Sequence, residues 1–201
     1  QPDNSDPDGR ISSPTDESAT NSDPLTIWAE AWDDASGVDY VRFMAWYCQD
    51  GNCNWHELAT DSSAPYTYLW NWDAVSEQRV SLAIHVADKS GKVTTDPGGW
   101  VDVYLDKSKP AAMINLPSGP YLTNNSVFIS APAEDSGSGM DSVQFFAGYN
   151  DGSGNYWHAL GTDTNGNDGW NSTWNASAAN DQSGVAFYIH AYDRAGNVRE
   201  S

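Results

Sequence analysis

Basic residues and long apolar stretches are both scarce in this chain of 201 residues. Lys and Arg together number 9 against 28 Asp and Glu, which gives a formal net charge of −19. A field of that sign repels the phosphates of nucleic acids and the surfaces of anionic membranes, so we expect neither as a partner. The sequence has no apolar run of the ~20 residues that a membrane-spanning helix needs, so we expect no membrane insertion.

Cysteine is nearly absent as well, since the sequence holds only Cys48 and Cys53. One such pair supplies too few ligands for a structural zinc site. A local disulfide and two free thiols remain as alternatives, and we predict the disulfide, worth about 2 kcal/mol for so short a loop. Because disulfides persist in oxidising compartments, this prediction favours an extracellular or cell-surface location.

An internal repeat is the dominant feature of what the chain does contain. The stretch Gly37–Tyr47 recurs as Gly139–Tyr149, and each matched pair lies 102 positions apart. Self-similarity at a fixed period predicts a tandem duplication. We therefore expect two domains, residues 1–106, in which 1–8 resembles a linker, and residues 107–201. From Ile189 onward the offset becomes 105, which predicts a three-residue insertion near residues 179–183.

Short alternating segments separated by Gly, Asp and Pro predict the fold class of each repeat. Leu25–Trp32 alternates apolar and polar residues with a period of two, which is typical of a half-buried strand. Seven such segments in the first repeat predict an all-β sandwich. The alternation also assigns sides. The residues expected inside are Ile27, Val41, Phe43, Leu82, Ile84 and Val103, and those expected outside are Trp28, Trp32, Met44, Trp46, His85 and Tyr104.

The last strand of the first repeat, predicted at Trp100–Leu105, has no counterpart in the second. An offset of 105 places that counterpart after Ser201, so we expect the second sandwich to lack its last strand. A sheet edge at Val185–His190 would then expose unpaired backbone groups, which native proteins avoid. A longer array of repeats, a strand donated by a neighbour and an edge left open are the three explanations. We expect another segment to meet this edge in the functional protein.

Two further motifs carry a resemblance to a known family. Ile84–Gly91 and Ile189–Asn197 resemble the penultimate-strand signature of bacterial immunoglobulin-like domains of the fibronectin-III/Big type, and Asp33–Val38 resembles the turn before that family's third strand. The resemblance implies two tandem immunoglobulin-like (Ig-like) sandwiches. It also implies a place in the stalks, spacers, adhesive modules or enzyme accessories of secreted and surface proteins. The antibody-type pair of inter-sheet cysteines is missing, so the likeness concerns topology only.

The titratable residues favour a non-enzymatic protein. The four histidines form two repeat pairs, His56 with His158 and His85 with His190. Residues duplicated in register across two domains are typical of a framework. No arrangement of nucleophile, base and carboxylate is predicted around them, so we expect no catalytic activity.

Calcium is the one cofactor that the sequence suggests. Asp163, Asn165 and Asn167 offer oxygen ligands at every second residue, as at the start of a calcium loop. The EF-hand pattern is not met, because Asp168 stands where that loop needs Gly. Turn Asp and Asn side chains also commonly cap backbone N–H groups, and this is the alternative. The same two readings hold for Asp33 with Asp88, and for their counterparts Asp135 with Asp193, which are expected to meet at one end of each sandwich.

Ten tryptophans give the chain an unusual supply of aromatic surface. Trp55/Trp157 and Trp72/Trp174 recur at the 102 offset, which favours a framework role. The predicted contact surface consists of outward side chains: Trp28, Trp32, Met44, Trp46, His85, Trp100 and Tyr104, and in the second repeat Phe146, Tyr188, His190 and Tyr192.

Exposed aromatic rings usually mark a contact surface. The partner is either protein, as a neighbouring Ig-like domain or another copy, or a glycan; cross-strand pairing that only stabilises each sheet is the third reading. We expect a structural or adhesive module of a longer surface protein, stalk or filament. The alternative function is that of a carbohydrate-binding accessory module of a secreted enzyme.

Overall fold

A computed structural model describes residues 3–117, 122, 125–179 and 181–201 of the chain. The chain divides into two compact units, Gln1–Lys107 and Ser108–Ser201. Strands dominate both units, and the helical segments among the described residues are two short 3-10 turns. The predicted all-β fold class is therefore confirmed.

The first unit consists of two sheets packed around one core. Its strands are β1 (Asp8–Ser13), β2 (Ser18–Thr20), β3 (Leu25–Trp32), β4 (Val38–Gln49), β5 (Asn52–Asp61), β6 (Tyr66–Trp70), β7 (Gln78–Asp88), β8 (Val93–Thr95) and β9 (Val101–Leu105). The smaller sheet has the order β1-β3-β6, and the larger has the order β2-β9-β7-β4-β5, with β8 also on β7.

The alternation predicted from sequence is confirmed in the first unit. Along β4, Val41, Phe43 and Ala45 are fully buried, because these apolar side chains fill the space between the sheets. On β3, Ile27 is 1% exposed, whereas its neighbour Trp28 is 42% exposed. A slip of one residue would exchange these two sets, so the register of these strands is as predicted.

Two strands of the first unit were not predicted. β2 pairs in parallel with β9, with Ser18 opposite Val103, and β8 pairs with β7, with Thr95 opposite His85. Both are three residues long and largely polar, so no apolar alternation marks them. β3 has the predicted bounds, whereas β9 begins at Val101, one residue later than predicted.

The second unit repeats the plan with smaller sheets. Its elements are β10 (Ala111–Ala112), β11 (Ser126–Ser130), β12 (Ala133–Glu134), β13 (Met140–Asn150), β14 (Asn155–Asp163), a 3-10 turn (Gly166–Asp168), β15 (Asn171–Asn175), a 3-10 turn (Ala176–Ala178), β16 (Ala186–Asp193) and β17 (Val198–Glu200). Its larger sheet has the order β14-β13-β16-β17, while β11 pairs with β15 and β10 with β12.

The first strand of the second unit is short and its pairing is interrupted. The structure has β10 at Ala111–Ala112, followed by an isolated bridge between Asn115 and Ser130. Pro132, opposite Met113, has no N–H to donate and can only accept the bond from Met113 N, at 3.1 Å. The pairing is interrupted at that point because proline removes one donor from the ladder.

The last strand of the second unit, β17, is the counterpart of β8 and not of β9, which is the strand that the second unit was predicted to lack. β17 lies opposite His190–Tyr192, as β8 lies opposite His85–Ala87 in the first unit. Ile189 and Ser201 then exchange two backbone hydrogen bonds, of 2.9 and 3.2 Å. Among the described residues, no strand pairs with Ala186–Tyr188 on the side that β9 occupies in the first unit.

The strand pairing also relocates the predicted insertion. Leu25 lies opposite Trp70, and Val127 lies opposite Trp174, so the offset is already 104 at β15. The counterpart of Trp174 is therefore Trp70, not Trp72, although all three rings are buried as framework residues should be. The first two inserted residues lie in the loop after Asp163, where six residues replace four. Loops tolerate such changes and carry no apolar pattern that would reveal them.

Candidate functional site

The residues of the predicted calcium loop are capping residues in the structure. Asp163 accepts the N–H of Asn165 through Oδ1 and that of Asn171 through Oδ2, both at 2.9 Å. Asn165 Oδ1 accepts the N–H of Asn167 at 3.4 Å, at the start of the 3-10 turn. These bonds are the turn-capping arrangement that the sequence left as the alternative. Calcium at Asp163, Asn165 and Asn167 stays a prediction.

Asp33 and Asp88 do meet at one end of the first unit, and Asp3 joins them. Ligand oxygens of the three carboxylates lie within 4.8 Å of one another. Asp33 Oδ2 accepts the N–H of Gly37 at 2.7 Å, and Asp88 Oδ1 accepts that of Lys92 at 2.9 Å. The ammonium group of Lys92 lies 3.8 Å from Asp3 Oδ1. The carboxylates thus fasten turns together next to a positive charge.

The predicted disulfide is confirmed at the tip of the β4–β5 hairpin, where Cys48 and Cys53 are bonded. A glutamine holds the same hairpin from the side, which the sequence reasoning missed. Gln78 accepts from Cys48 N at 2.8 Å and donates to Cys48 O at 3.0 Å. Gln182 makes the same two bonds to Asn150, at 2.7 and 2.9 Å. The recurrence of this amide clamp at the 104 offset is the signal that could have revealed it.

The outer face of the smaller sheet in the first unit presents two separate rings. Trp28 and Trp32 lie on β3 and are 42% and 44% exposed, as predicted for outward side chains. Glu30, between them in sequence, forms an ion pair of 2.6 Å with Arg10 of β1. We call Trp28 and Trp32 the tryptophan face. The second unit has Ser130 and Glu134 at these two positions.

The outer face of the larger sheet carries a tryptophan pair. Trp46 lies directly opposite Trp55, and Met44 lies opposite Glu57. Trp55 is 42% exposed and Trp157, its counterpart, is 54% exposed, so the prediction that both are framework residues was wrong. Residues directly opposite in an antiparallel pair share one face of the sheet, and Trp55 must therefore stand on the outward face with Trp46.

The other predicted contact residues of this sheet do not join that pair. The guanidinium of Arg79 lies 5.7 Å from the ring centre of Tyr104 and 2.7 Å from Asp102, and it also pairs with Glu17. His85 Nε2 is 3.7 Å from Asp96. Trp100 precedes β9 and is 61% exposed. Tyr104 thus belongs to a polar network within the unit and not to a continuous aromatic surface.

In the second unit the predicted aromatic residues do come together, in what we call the ring row: Phe146, Tyr188, His190 and Tyr192. Phe146 and Tyr188 stack with ring centres 4.5 Å apart and an interplanar angle of 3°. His190 lies 5.2 Å from Phe146 and 6.3 Å from Tyr192. Each of these four side chains is half-buried, and its neighbours in the row cover part of it. Trp157, which was not among the predicted contact residues, meets Tyr188 edge-on at 4.5 Å and stays exposed.

The remaining histidines occupy matching inner positions. His56 stacks on Tyr47 with ring centres 4.0 Å apart, and His158 stacks on Tyr149 at 4.1 Å. This repetition is typical of framework contacts. Within the part of the chain that the structure describes, no helix combines the length and apolarity that crossing a membrane requires.

Comparison with known families places this fold. Residues 7–84, all in the first unit, match the family described as bacterial Ig domain. This stretch is similar to a bacterial Ig domain. The predicted resemblance is thereby confirmed for residues 7–84, which include β3, β4 and most of β7. The disulfide at the hairpin tip and the tryptophan face both lie within the matched residues.

One solved structure aligns with most of the chain at low similarity. It comes from work described as structural insight into host cell surface retention of a 1.5-MDa bacterial ice-binding adhesin. The identity is 14%, the TM-score is 0.40, and the alignment covers 98% of this chain and 61% of that one. The chain thus spans less than two thirds of that structure's length. No curated protein matches the chain.

Proposed function

We propose that the chain is a non-enzymatic, extracellular module in which two Ig-like domains, residues 1–106 and 107–201, follow in tandem. Its role is structural or adhesive, within a longer surface protein, stalk or filament. It contacts neighbouring Ig-like domains or further copies of itself through the tryptophan face. The match to a bacterial Ig domain supports the module, and the exposed rings support the contact.

The tryptophan face is the observation that carries this proposal. Large exposed rings are costly to leave in water and are the side chains that most often anchor protein interfaces. The fold itself does not require them, because the repeat holds Ser130, on β11, and Glu134, on β12, at the matching positions of the sequence. Rings that the core does not need and that stand 42% and 44% exposed point to a partner.

The repeat supplies the substitutions for a direct test. Trp28→Ser combined with Trp32→Glu gives the first unit the outer face of the second. We expect the unchanged chain to self-associate at concentrations on the order of 100 μM, as weak contacts do, and the double variant to remain monomeric. Sedimentation velocity over a concentration series measures both.

Phe128→Ala is the control, since Phe128 is a ring of the second unit that is 62% exposed and is not part of the tryptophan face. It should associate like the unchanged chain, and all three proteins should show the same thermal unfolding. Association of the double variant at the unchanged level would refute the tryptophan face as the contact. So would an unchanged chain that stays monomeric throughout.

We also propose that the open edge of β16 receives a strand in the assembled protein. Ala186–Tyr188 present backbone donors and acceptors on the side where β9 covers Gln78–Leu82 in the first unit. Proteins usually cover such edges, and strand addition is one established way of doing so. The residues that would be covered are part of an ordered, hydrogen-bonded sheet, so little reorganisation is needed.

Hydrogen exchange tests this edge. In the isolated chain, the amides of 186–188 that face away from β13 should exchange rapidly, whereas Ser81 and Leu82, which lie opposite β9, provide a protected internal reference. In the intact assembly the same amides of 186–188 should slow by at least about a hundredfold, because they join a ladder. Equally rapid exchange in both states would contradict the proposal.

A further inference from the structure

We propose that Trp157 is a stacking platform for a neutral saccharide in the second unit. The site is the exposed face of the Trp157 indole together with the adjoining cleft, which we call the neutral cleft. This proposal does not rest on the protein contact proposed above, because it uses other residues in the other unit. An experiment can therefore refute either proposal without refuting the other.

The position of the Trp157 ring follows from a glycine. Trp157 lies opposite Gly148 on the outer face of the larger sheet. A Cβ added to Gly148 would lie 2.9 Å from Cε3 and from Cζ3 of the indole, so the six-membered ring lies directly over the glycine backbone. The first unit has Trp46 at this position, and there the two tryptophans face each other across the strands. Only in the second unit does the opposite residue lack a side chain, so only there can the indole lie flat against the sheet.

The ring is held in place on one side and free on the other. The edge-on contact with Tyr188, at 4.5 Å between ring centres and 88° between ring planes, limits sliding along the strand. Tyr188 is in turn stacked on Phe146. Trp157 nevertheless remains 54% exposed. A ring that is packed below, fixed at its edge and open above is preorganised for stacking, which lowers the entropic cost of binding.

The neutral cleft adjoins this ring at the end of β13 and β14. It has a volume of about 340 Å³, towards the lower end of the ligand-site range of ~300–1,000 Å³. Trp157 is the aromatic ring of the outer face that lines it, and Asn155, Gln182 and Ser183 provide polar groups. The two bonds from Gln182 to the backbone of Asn150 fix that side of the cleft to the hairpin.

The chemistry of these groups selects the ligand class. A pyranose ring has one apolar face of C–H groups, which stacks on an indole, and a rim of hydroxyls, which bond to amide and hydroxyl side chains. None of the described residues that line the cleft is charged. Residues 107–201 carry 9 acidic and 4 basic side chains, a balance of −5 that disfavours acidic ligands. A neutral saccharide satisfies both conditions.

Affinity electrophoresis of the whole chain tests the proposal. Native gels would contain hydroxyethyl cellulose, arabinoxylan or galactomannan as neutral polysaccharides, and polygalacturonate as the acidic one. We expect at least one neutral polymer to retard the chain and polygalacturonate to have no effect. Trp157→Ala should weaken the retardation about tenfold or more, because it removes the stacking surface.

Two further variants distinguish the loss of the Trp157 stacking surface from a general loss of structure. Gly148→Ala keeps the indole but lifts it from the sheet, and we expect it to lose binding as Trp157→Ala does. Phe128→Ala removes another exposed ring of the same unit and should bind like the unchanged chain. Thermal unfolding shows whether each variant is folded. The proposal is overturned if no neutral polymer retards the chain, if polygalacturonate retards it equally, or if folded Trp157→Ala or Gly148→Ala binds normally.

Discussion

Truncation of Trp72 to alanine is expected to lower the free energy of unfolding of the first unit by about 3–5 kcal/mol. Trp72 is only 1% exposed, and its indole N–H donates to the carbonyl of Ser22 at 2.8 Å. Its backbone N–H donates to Asp23, and Lys107 lies 4.2 Å from the ring centre. The substitution would leave a cavity and an unpaired carbonyl. Urea denaturation followed by circular dichroism measures the loss.

Trp174→Phe in the second unit is the matched control. Trp174 is 4% exposed, but its Nε1 finds no acceptor among the described residues. Phenylalanine keeps most of the ring and removes a buried donor without a partner, so the cost should stay below about 1.5 kcal/mol. A loss from Trp72→Ala as small as that from Trp174→Phe would show that Trp72 does not anchor the first unit.

Asp88→Ala should also destabilise the first unit strongly, lowering its melting temperature by on the order of 10 °C. Asp88 is 1% exposed and accepts the N–H of Ser90 at 2.8 Å and that of Lys92 at 2.9 Å. Alanine leaves both donors without an acceptor inside the turn. Calorimetry measures the shift, and Asp34→Ala, at an exposed position of the neighbouring turn, should leave the melting temperature unchanged.

The same carboxylate gives this stability a pH dependence. Burial raises the pKa of Asp88, but the N–H of Lys92 and the groups of Ser90 outweigh burial and hold the pKa below its usual value. A lowered folded-state pKa stabilises above the unfolded-state pKa of ~3.9, and that contribution disappears as the pH falls through the lowered value. Melting temperatures should therefore fall below about pH 4 in the unchanged chain, and less steeply in Asp88→Ala. Parallel curves would contradict this assignment.

The alternation of apolar and polar residues predicted the side on which a side chain lies wherever one side of a strand faces the core. Phe43 and Met44 were placed on the correct sides because burying the wrong one would expose an entire apolar row of β4. Trp55 was misplaced because its side depends on the strand opposite, and recurrence at a fixed offset does not distinguish a core ring from a surface ring. The position of Trp55 follows only from its pairing with Trp46.

Features that depend on loops could not be predicted. The insertion after Asp163 changes no apolar pattern, so the sequence alone gave the wrong partner for Trp174. The clamp between Gln78 and the Cys48 backbone joins residues 30 positions apart, and nothing in either segment marks it. Likewise, the platform at Trp157 requires the register that sets it over Gly148, whereas the sequence showed only that Trp46 had no aromatic counterpart.

The exchange of Trp46 for Gly148 between the repeats has a consequence for how such surfaces evolve. The tryptophan codon TGG and the glycine codon GGG differ in one base, so one base change is sufficient to interconvert these two residues. Both residues lie on the outer face of the sheet, and the buried residues beside them, Ala45 and Ala147, are identical. The outer surface can therefore differ at this position between the two units without any change in the buried residues beside it.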